Sequence, residues 1–92
     1  MYRVITTSQF RRDYRHAYKR GYDLDLIESV IVRLAKGDPL PEKYRDHALA
    51  GNWQGKRECH ITSDWLLVYE VEKDVLVLIL SRTGTHNDIF KK

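Results

Sequence analysis

Apolar residues recur along this 92-residue chain with two different periods, which divide it into helices and strands. Between Thr7 and Gly37 they recur every three to four positions, and that spacing places them on one stripe of an α-helix. The first stripe consists of Phe10, Tyr14, Ala17 and Tyr18. The second consists of Leu26, Ile27, Val30, Ile31 and Leu34. Because Gly21 and Gly37 follow the two stripes as helix ends, we predict two helices joined by a short turn.

The remaining segments alternate or are continuously apolar, which is the pattern of β-strands. A loop is predicted from residue 38 to about residue 52, because it begins with Asp38-Pro39-Leu40-Pro41 and proline fits neither a helix interior nor a central strand. The predicted strands are Tyr2 to Thr6, Trp53 to Ile61, Trp65 to Glu72 and Val75 to Arg82. The element order predicts an α+β protein, with the helix pair packed on an antiparallel sheet of about four strands.

Side chains at the helix and strand ends refine this prediction. The first helix has possible N-caps at Thr6, Thr7 and Ser8, and the second at Asp23 and Asp25. The last two strands are apolar on both faces, so we expect part of each sheet face to be covered. A short helical turn is predicted after Gly84, with Thr85 as its cap.

Length and composition predict one domain spanning residues 1–92, with room for a single core. No apolar run approaches the roughly 20 residues that a membrane span needs. The N-terminus lacks the pattern of a signal peptide, and the single cysteine, Cys59, cannot form an internal disulfide framework. We therefore expect a cytoplasmic protein.

The net charge of +3 is unevenly distributed. Residues 1 to 20 hold six cations against the single acid Asp13, a local balance of +5. The cations are Arg3, Arg11, Arg12, Arg15, Lys19 and Arg20. This segment suits a polyanionic partner such as RNA, or an acidic protein segment, and a solvated helix face is the alternative.

A cation ends the last predicted strand and a titratable imidazole follows it, in Arg82-Thr83-Gly84-Thr85-His86. Alternation places Arg82 on the same strand face as Leu78 and Leu80, at the margin of the sheet. In a helical turn His86 and Phe90, four residues apart, share one face. By itself the motif is weak, because a turn with a surface histidine has the same pattern.

Strand order makes the motif more informative. His60 ends one strand and Asp64 follows the turn, so both lie at the end of the sheet where the last strand finishes. His60, Asp64, Trp65, Arg82 and His86 are therefore predicted to converge. The preceding loop can bring His47 to the same place.

These groups suit attack of a ribose 2′-hydroxyl on the adjacent phosphate, which needs a base, an acid and a cation. Histidine has a pKa near 6.5 and can serve in either proton role at neutral pH. A zinc site is disfavoured, because Cys59 and His60 are strand neighbours that point to opposite faces. The same geometry argues against a Cys–His nucleophile. We expect neither a metal nor another cofactor, and we assign Trp53 to packing and Trp65 and Phe90 to the rim of the site.

Over nearly its whole length, the chain resembles the YafQ branch of the RelE superfamily. Members of this branch are toxins of type II toxin-antitoxin pairs. The motifs that carry the resemblance are Asp46-His47-x-Leu49-x-Gly51-x-Trp53-x-Gly55, His60, Asp64-Trp65, Tyr69 and Arg82-Thr83-Gly84-Thr85-His86. The resemblance implies a microbial RNase fold and a ribosome-dependent endoribonuclease that cleaves mRNA in the ribosomal A site. It also implies neutralisation by an antitoxin from the same operon.

Residue by residue, the resemblance implies a catalytic set of His47, His60, Asp64, Arg82 and His86, with Trp65 and Phe90 lining the substrate. His86 then corresponds to the general acid and Arg82 to the phosphate clamp, while the base is Asp64, His47 or His60. The alternative is a ParE-like toxin, which shares the fold, binds DNA gyrase and lacks a comparable set of histidines.

Overall fold

A computed structural model describes residues 1–90, which form three helices and a five-stranded sheet. The elements in chain order are β1 (Arg3–Thr6), α1 (Ser8–Lys19), α2 (Leu24–Lys36), β2 (His47–Ala48), β3 (Arg57–Thr62), β4 (Trp65–Glu72), β5 (Val77–Gly84) and α3 (His86–Ile89). Short 3₁₀ turns at Glu42–Tyr44 and Gly51–Trp53 flank β2. The predicted α+β class is confirmed. No helix within residues 1–90 is long and apolar enough to cross a membrane.

The two long helices begin and end where the sequence pattern places them. Thr7 caps α1, with its side-chain oxygen accepting from the Phe10 amide at 2.9 Å. Asp23 caps α2 by accepting from the Asp25 amide, so Asp23 rather than Asp25 is the cap. Gly37 ends α2 at φ 80°, a left-handed conformation that favours glycine because it has no Cβ.

The sheet differs from the predicted one in size and in one pairing. Its strand order is β1-β5-β4-β3-β2, which gives five strands rather than about four. The additional strand, β2, has two residues and lies within the predicted loop. β1 pairs with β5 in parallel, while all other pairs are antiparallel. The parallel pair is possible because the two helices carry the chain back to the starting end of the sheet.

Both faces of the sheet bear apolar side chains, as expected from the strand pattern. On one face, α1 and α2 pack through residues such as Phe10 and Ile27 against Leu67 and Tyr69 of β4. The opposite face carries a smaller cluster formed by Leu66, Val68, Ile89, Leu49, Trp53 and Phe90. We call the first the helix face and the second the open face. The open face is only partly covered, which leaves room for a site.

Two predicted strand starts are wrong. Trp53 lies in a 3₁₀ turn and β3 begins only at Arg57, because Gly51 and Gly55 take positive φ angles that interrupt the extended chain. Likewise, Val75 and Leu76 are exposed in the turn before β5, where Leu76 has φ 54°. Apolar side chains in a turn look like strand residues when only the sequence is considered.

Candidate active site

One row of side chains crosses four strands on the open face. In the strand register, His47 of β2 pairs with Glu58 of β3, Glu58 with Val68 of β4, and Val68 with Arg82 of β5. Directly opposed residues in a sheet project to the same face. His60 stands two residues beyond Glu58 on this face and pairs with Leu66. The strands thus bring two histidines, a carboxylate and an arginine to one surface.

Arg82 reaches this surface because of a register shift in β5. Leu80 pairs with Tyr69 and Arg82 pairs with Val68, and the extra residue between them is Ser81. Tyr69 and Val68 are strand neighbours and point to opposite faces, so Leu80 and Arg82 do as well. The prediction that Arg82 shares the face of Leu78 and Leu80 is therefore wrong. A β-bulge commonly redirects a side chain in this way next to a functional site.

Glu58 lies between the imidazoles of His47 and His60. Its Oε2 is 3.4 Å from Nε2 of His47 and 3.6 Å from Nε2 of His60, and its side chain is only 9% exposed. Nδ1 of His47 lies 2.7 Å from the carbonyl oxygen of Arg45. Because a carbonyl oxygen only accepts, Nδ1 is the donor in this contact, and Nε2 is the ring nitrogen that faces the Glu58 carboxylate. Sequence reasoning missed Glu58, although its two-residue spacing from His60 indicated a shared strand face.

The segment that carries His47 is fixed by the residue before it. Asp46 accepts hydrogen bonds from the Tyr69 hydroxyl and from the guanidinium of Arg57, whose Nε lies 3.3 Å away. Burial and this carboxylate raise the pKa of Tyr69, so the phenol stays protonated and remains a donor at neutral pH. These contacts attach the loop to β3 and β4, which sets the position of His47.

The other half of the open face is formed by α3. Its Thr85 cap is confirmed, with the side chain accepting from the Asp88 amide. The rings of His86 and Phe90 lie 4.9 Å apart between centroids, as their four-residue spacing predicts. Phe90 also meets Trp53 edge to face at 5.0 Å. Arg82, Trp53 and Phe90 line one open cleft of about 440 Å³, which we call the aromatic cleft. Trp53, predicted to be a packing residue, packs on the open-face cluster and also faces this cleft.

The guanidinium of Arg82 is held in place by hydrogen bonds to Asp13 and Asp88. Nε and Nη2 of Arg82 lie 2.7 Å and 3.3 Å from the two carboxylate oxygens of Asp13. Nη2 also donates to the Asp88 carbonyl oxygen at 3.3 Å. An arginine that is oriented by a bidentate partner presents its remaining N–H groups in a defined direction.

Asp64 and Trp65 are not brought to the open face. Asp64 is exposed in the turn between β3 and β4 and lines a pocket on the helix face with Tyr22, Asp23 and Leu26. Trp65 is 3% exposed, and its Nε1 donates to Thr83 Oγ1 at 2.8 Å. Both lie at the predicted end of the sheet, but on its opposite side, because Trp65 is the strand neighbour of the open-face residue Leu66. Their proposed site roles remain predictions that this placement does not favour.

Cys59 lies on the helix face, as expected from its alternation with His60. It is fully buried, and this burial raises the pKa of its thiol to about 12. A neutral, inaccessible thiol is a poor nucleophile and a poor metal ligand. Among residues 1–90 there is no group of three or more His, Cys, Asp or Glu side chains placed to hold a metal ion.

The fold and the open face define a small α+β protein with histidine, carboxylate and arginine groups beside an aromatic cleft. The family model described as bacterial toxin of type II toxin-antitoxin system, YafQ, matches residues 2–91. The chain is 35% identical over 85 residues to the mRNA interferase toxin YafQ of Escherichia coli strain K12, covering 91% of this chain and 90% of that protein. The chain therefore belongs to the YafQ family of type II toxins.

Solved structures agree with this assignment. A crystal structure of the E. coli DinJ-YafQ complex contains a chain with TM-score 0.90 and 33% identity, covering 98% of this chain and 99% of that one. A metal-bound toxin from Helicobacter pylori has TM-score 0.92 and 40% identity, covering 98% and 100%. The RelE-like fold expected from the sequence is thus confirmed.

Proposed function

We propose that this chain is an mRNA interferase, a toxin that cleaves messenger RNA in the ribosomal A site by acid-base chemistry. The observation that supports this proposal is the open-face row, in which His47, Glu58 and Arg82 stand in register and His60 lies two residues beyond Glu58. Helix α3, which carries His86, packs on the same face through Ile89. The name mRNA interferase, which the E. coli relative bears, is consistent with that chemistry.

In the proposed reaction, a base removes the proton of the ribose 2′-hydroxyl and the 2′-oxygen attacks the adjacent phosphorus. The bond from phosphorus to the 5′-oxygen breaks, and His86 gives that oxygen its proton. The products are a 2′,3′-cyclic phosphate and a 5′-hydroxyl end. Arg82 binds the phosphate oxygens, where charge builds up during the displacement. Each proton transfer by a placed group is typically worth roughly 100- to 10,000-fold in rate.

The base is one of the two histidines on β2 and β3. His47 and His60 both face Glu58 on the open face, whereas the carboxylate of Asp64 lies on the other side of the sheet. Glu58 is well placed to orient both rings and to stabilise either one when it takes up a proton. This arrangement favours a histidine over Asp64 among the candidates for the base.

The aromatic cleft provides a contact for the RNA bases. Unpaired bases stack on aromatic rings in single-stranded RNA recognition. Phe90 and Trp53 both border the cleft that Arg82 lines. A nucleotide whose phosphate binds Arg82 can therefore place its base against Phe90, with Trp53 forming the adjoining wall.

The positive charge of α1 and the complex formed by a relative indicate which partners this chain binds. The DinJ-YafQ complex shows that one family member assembles with DinJ, and we propose that this chain likewise binds a cognate antitoxin. The cations of α1, including Arg11, Arg12 and Arg15, are exposed and suit an acidic antitoxin segment or the ribosomal RNA. A gyrase-binding toxin is the alternative, but a binding surface alone does not require a carboxylate between two imidazoles.

Primer extension on a reporter mRNA, with and without translation, tests this function. The purified chain should create new 5′ ends within codons only when the message is translated, and a cognate antitoxin should suppress them. Unchanged mRNA under both conditions would contradict the nuclease. Inhibition of DNA gyrase in a parallel supercoiling reaction, together with intact mRNA, would support the ParE-like alternative instead.

A further inference from the structure

Helix α1 places one carboxylate against the candidate site, although its exposed surface is basic. Asp13 is the only acid among the first 20 residues, and its side chain is only 10% exposed. It accepts hydrogen bonds from Nε2 of Gln9 at 2.9 Å and from the Thr83 amide at 3.1 Å. It also accepts from both Nε and Nη2 of Arg82. Four donors on three residues, one in α1 and two in β5, therefore meet at one carboxylate.

This arrangement fixes the plane of the Arg82 guanidinium. A carboxylate that accepts from two guanidinium nitrogens sets both the distance and the orientation of the fork. The Thr83 amide and Gln9 in turn fix the carboxylate, because they bind the same two oxygens. Nε and Nη2 of Arg82 are directed to Asp13, while the arginine also borders the aromatic cleft. Within residues 1–90, Nη1 has no hydrogen-bond partner, so it is the guanidinium nitrogen that remains available to a ligand.

Electrostatic attraction for phosphate does not explain why the Asp13 carboxylate lies beside Arg82. A negative group beside Arg82 weakens the long-range attraction of that arginine for phosphate, whereas α1 otherwise adds positive charge on every turn. Any benefit of Asp13 to phosphate binding must therefore come from the orientation that it imposes on the Arg82 guanidinium. A free arginine side chain samples many rotamers, and a phosphate clamp functions best when its donors are already oriented.

We propose that Asp13 is a positioning residue, which holds the guanidinium of Arg82 in the orientation that the transferring phosphate needs. This inference rests on the proposed function, because it assigns a task to the same arginine. Asp13 touches neither the RNA nor the reacting atoms and acts only through Arg82.

A double-mutant cycle separates this role from a merely structural one. The variants are Asp13→Ala, Arg82→Ala and the double variant, with Asp74→Ala as the matched control. Asp74 is exposed in the turn before β5, at the opposite end of that strand from Arg82. Cleavage rates are measured in the translation-coupled reaction at saturating toxin, and thermal unfolding gives the folded fraction of each variant at the assay temperature.

We expect Asp13→Ala to lower the maximal cleavage rate of the folded protein by roughly 10- to 100-fold, and Asp74→Ala to leave it unchanged. Adding Asp13→Ala to Arg82→Ala should cause no further loss, because the group through which Asp13 acts is already absent. A normal rate for folded Asp13→Ala, or a double variant slower than Arg82→Ala by the full Asp13→Ala factor, would overturn the proposal.

The cycle also distinguishes this inference from the function on which it rests. Full activity of Arg82→Ala alone would remove the phosphate role of the arginine, and the positioning role with it. Loss of activity in Arg82→Ala together with a normal rate in Asp13→Ala would leave the proposed function intact and overturn only the role of Asp13.

Discussion

Replacing His86 with alanine should lower RNA cleavage by roughly 100- to 10,000-fold, because the departing 5′-oxygen then has no placed proton donor. The fold should be little affected. His86 is exposed at the start of α3, and the ring contact that it loses is with Phe90. Alanine is also the best helix former at such a position. Growth arrest on induced expression, together with primer extension on the reporter mRNA, measures the effect.

Val32→Ala is the control for this variant. Val32 is exposed on α2, on the helix face of the sheet. The same replacement by alanine at this exposed helix position should leave growth arrest and cleavage as they are. Full toxicity of His86→Ala would show that His86 is not the proton donor. A similar loss in Val32→Ala would mean that the assay responds to any alanine substitution on an exposed helix.

Replacing Arg82 with alanine should reduce both activity and stability. The phosphate loses its clamp, so we expect cleavage to fall at least 100-fold, within the range typical of a removed transition-state contact. The carboxylate of Asp13 also loses its cation while remaining mostly buried. Removing one partner of a buried ion pair typically costs about 3 to 5 kcal/mol. Because Gln9 and the Thr83 amide still donate to this carboxylate, we expect the free energy of unfolding to fall by a smaller amount, about 1 to 3 kcal/mol. Chemical denaturation and cleavage of the same preparation measure the two effects.

Arg82→Lys separates the charge of the side chain from its shape. Lysine keeps the positive charge but lacks the planar fork that meets both oxygens of Asp13. It should therefore recover much of the stability that Arg82→Ala loses while remaining poorly active. Activity of Arg82→Lys close to that of the unchanged protein would show that a cation at this position is sufficient, and would contradict an oriented clamp.

Much of the fold was predictable from local patterns. The two helix stripes, the Gly37 end of α2 and the Thr85 cap of α3 all depend on interactions within a few residues, which the sequence displays directly. The parallel pairing of β1 with β5 was not predictable in this way. It depends on how far two helices carry the chain across the sheet, and no short segment records that distance.

The candidate site, like the fold, was predictable from local patterns only in part. Strand alternation correctly separated Cys59 from His60, but it failed at Arg82, because the extra residue at Ser81 reverses the faces beyond it. A β-bulge has no reliable signature in the residues around it. A prediction based on strict alternation therefore assigns the residues beyond the bulge to the wrong face. Trp65 was misplaced for a related reason: strand ends can meet at one end of a sheet while their side chains occupy opposite faces.

The glutamate between the two histidines illustrates what the three-dimensional register adds. Glu58 and His60 are visible in the sequence as residues two apart, yet His47 lies in a loop whose path the sequence does not determine. The pairing of β2 with β3 and the contacts of Asp46 with Arg57 and Tyr69 hold that loop beside β3. The carboxylate then lies between two imidazoles that are 13 residues apart in the chain.

In the proposed mechanism, the open face cleaves RNA through the ribose 2′-hydroxyl. A ribosome-bound synthetic mRNA that carries a single 2′-deoxynucleotide on the 5′ side of the scissile phosphate tests this step. The unmodified message should be cut to a 2′,3′-cyclic phosphate and a 5′-hydroxyl, and the 2′-deoxy message should remain intact at that position. Equal cleavage of both messages, leaving a 5′-phosphate, would contradict this account.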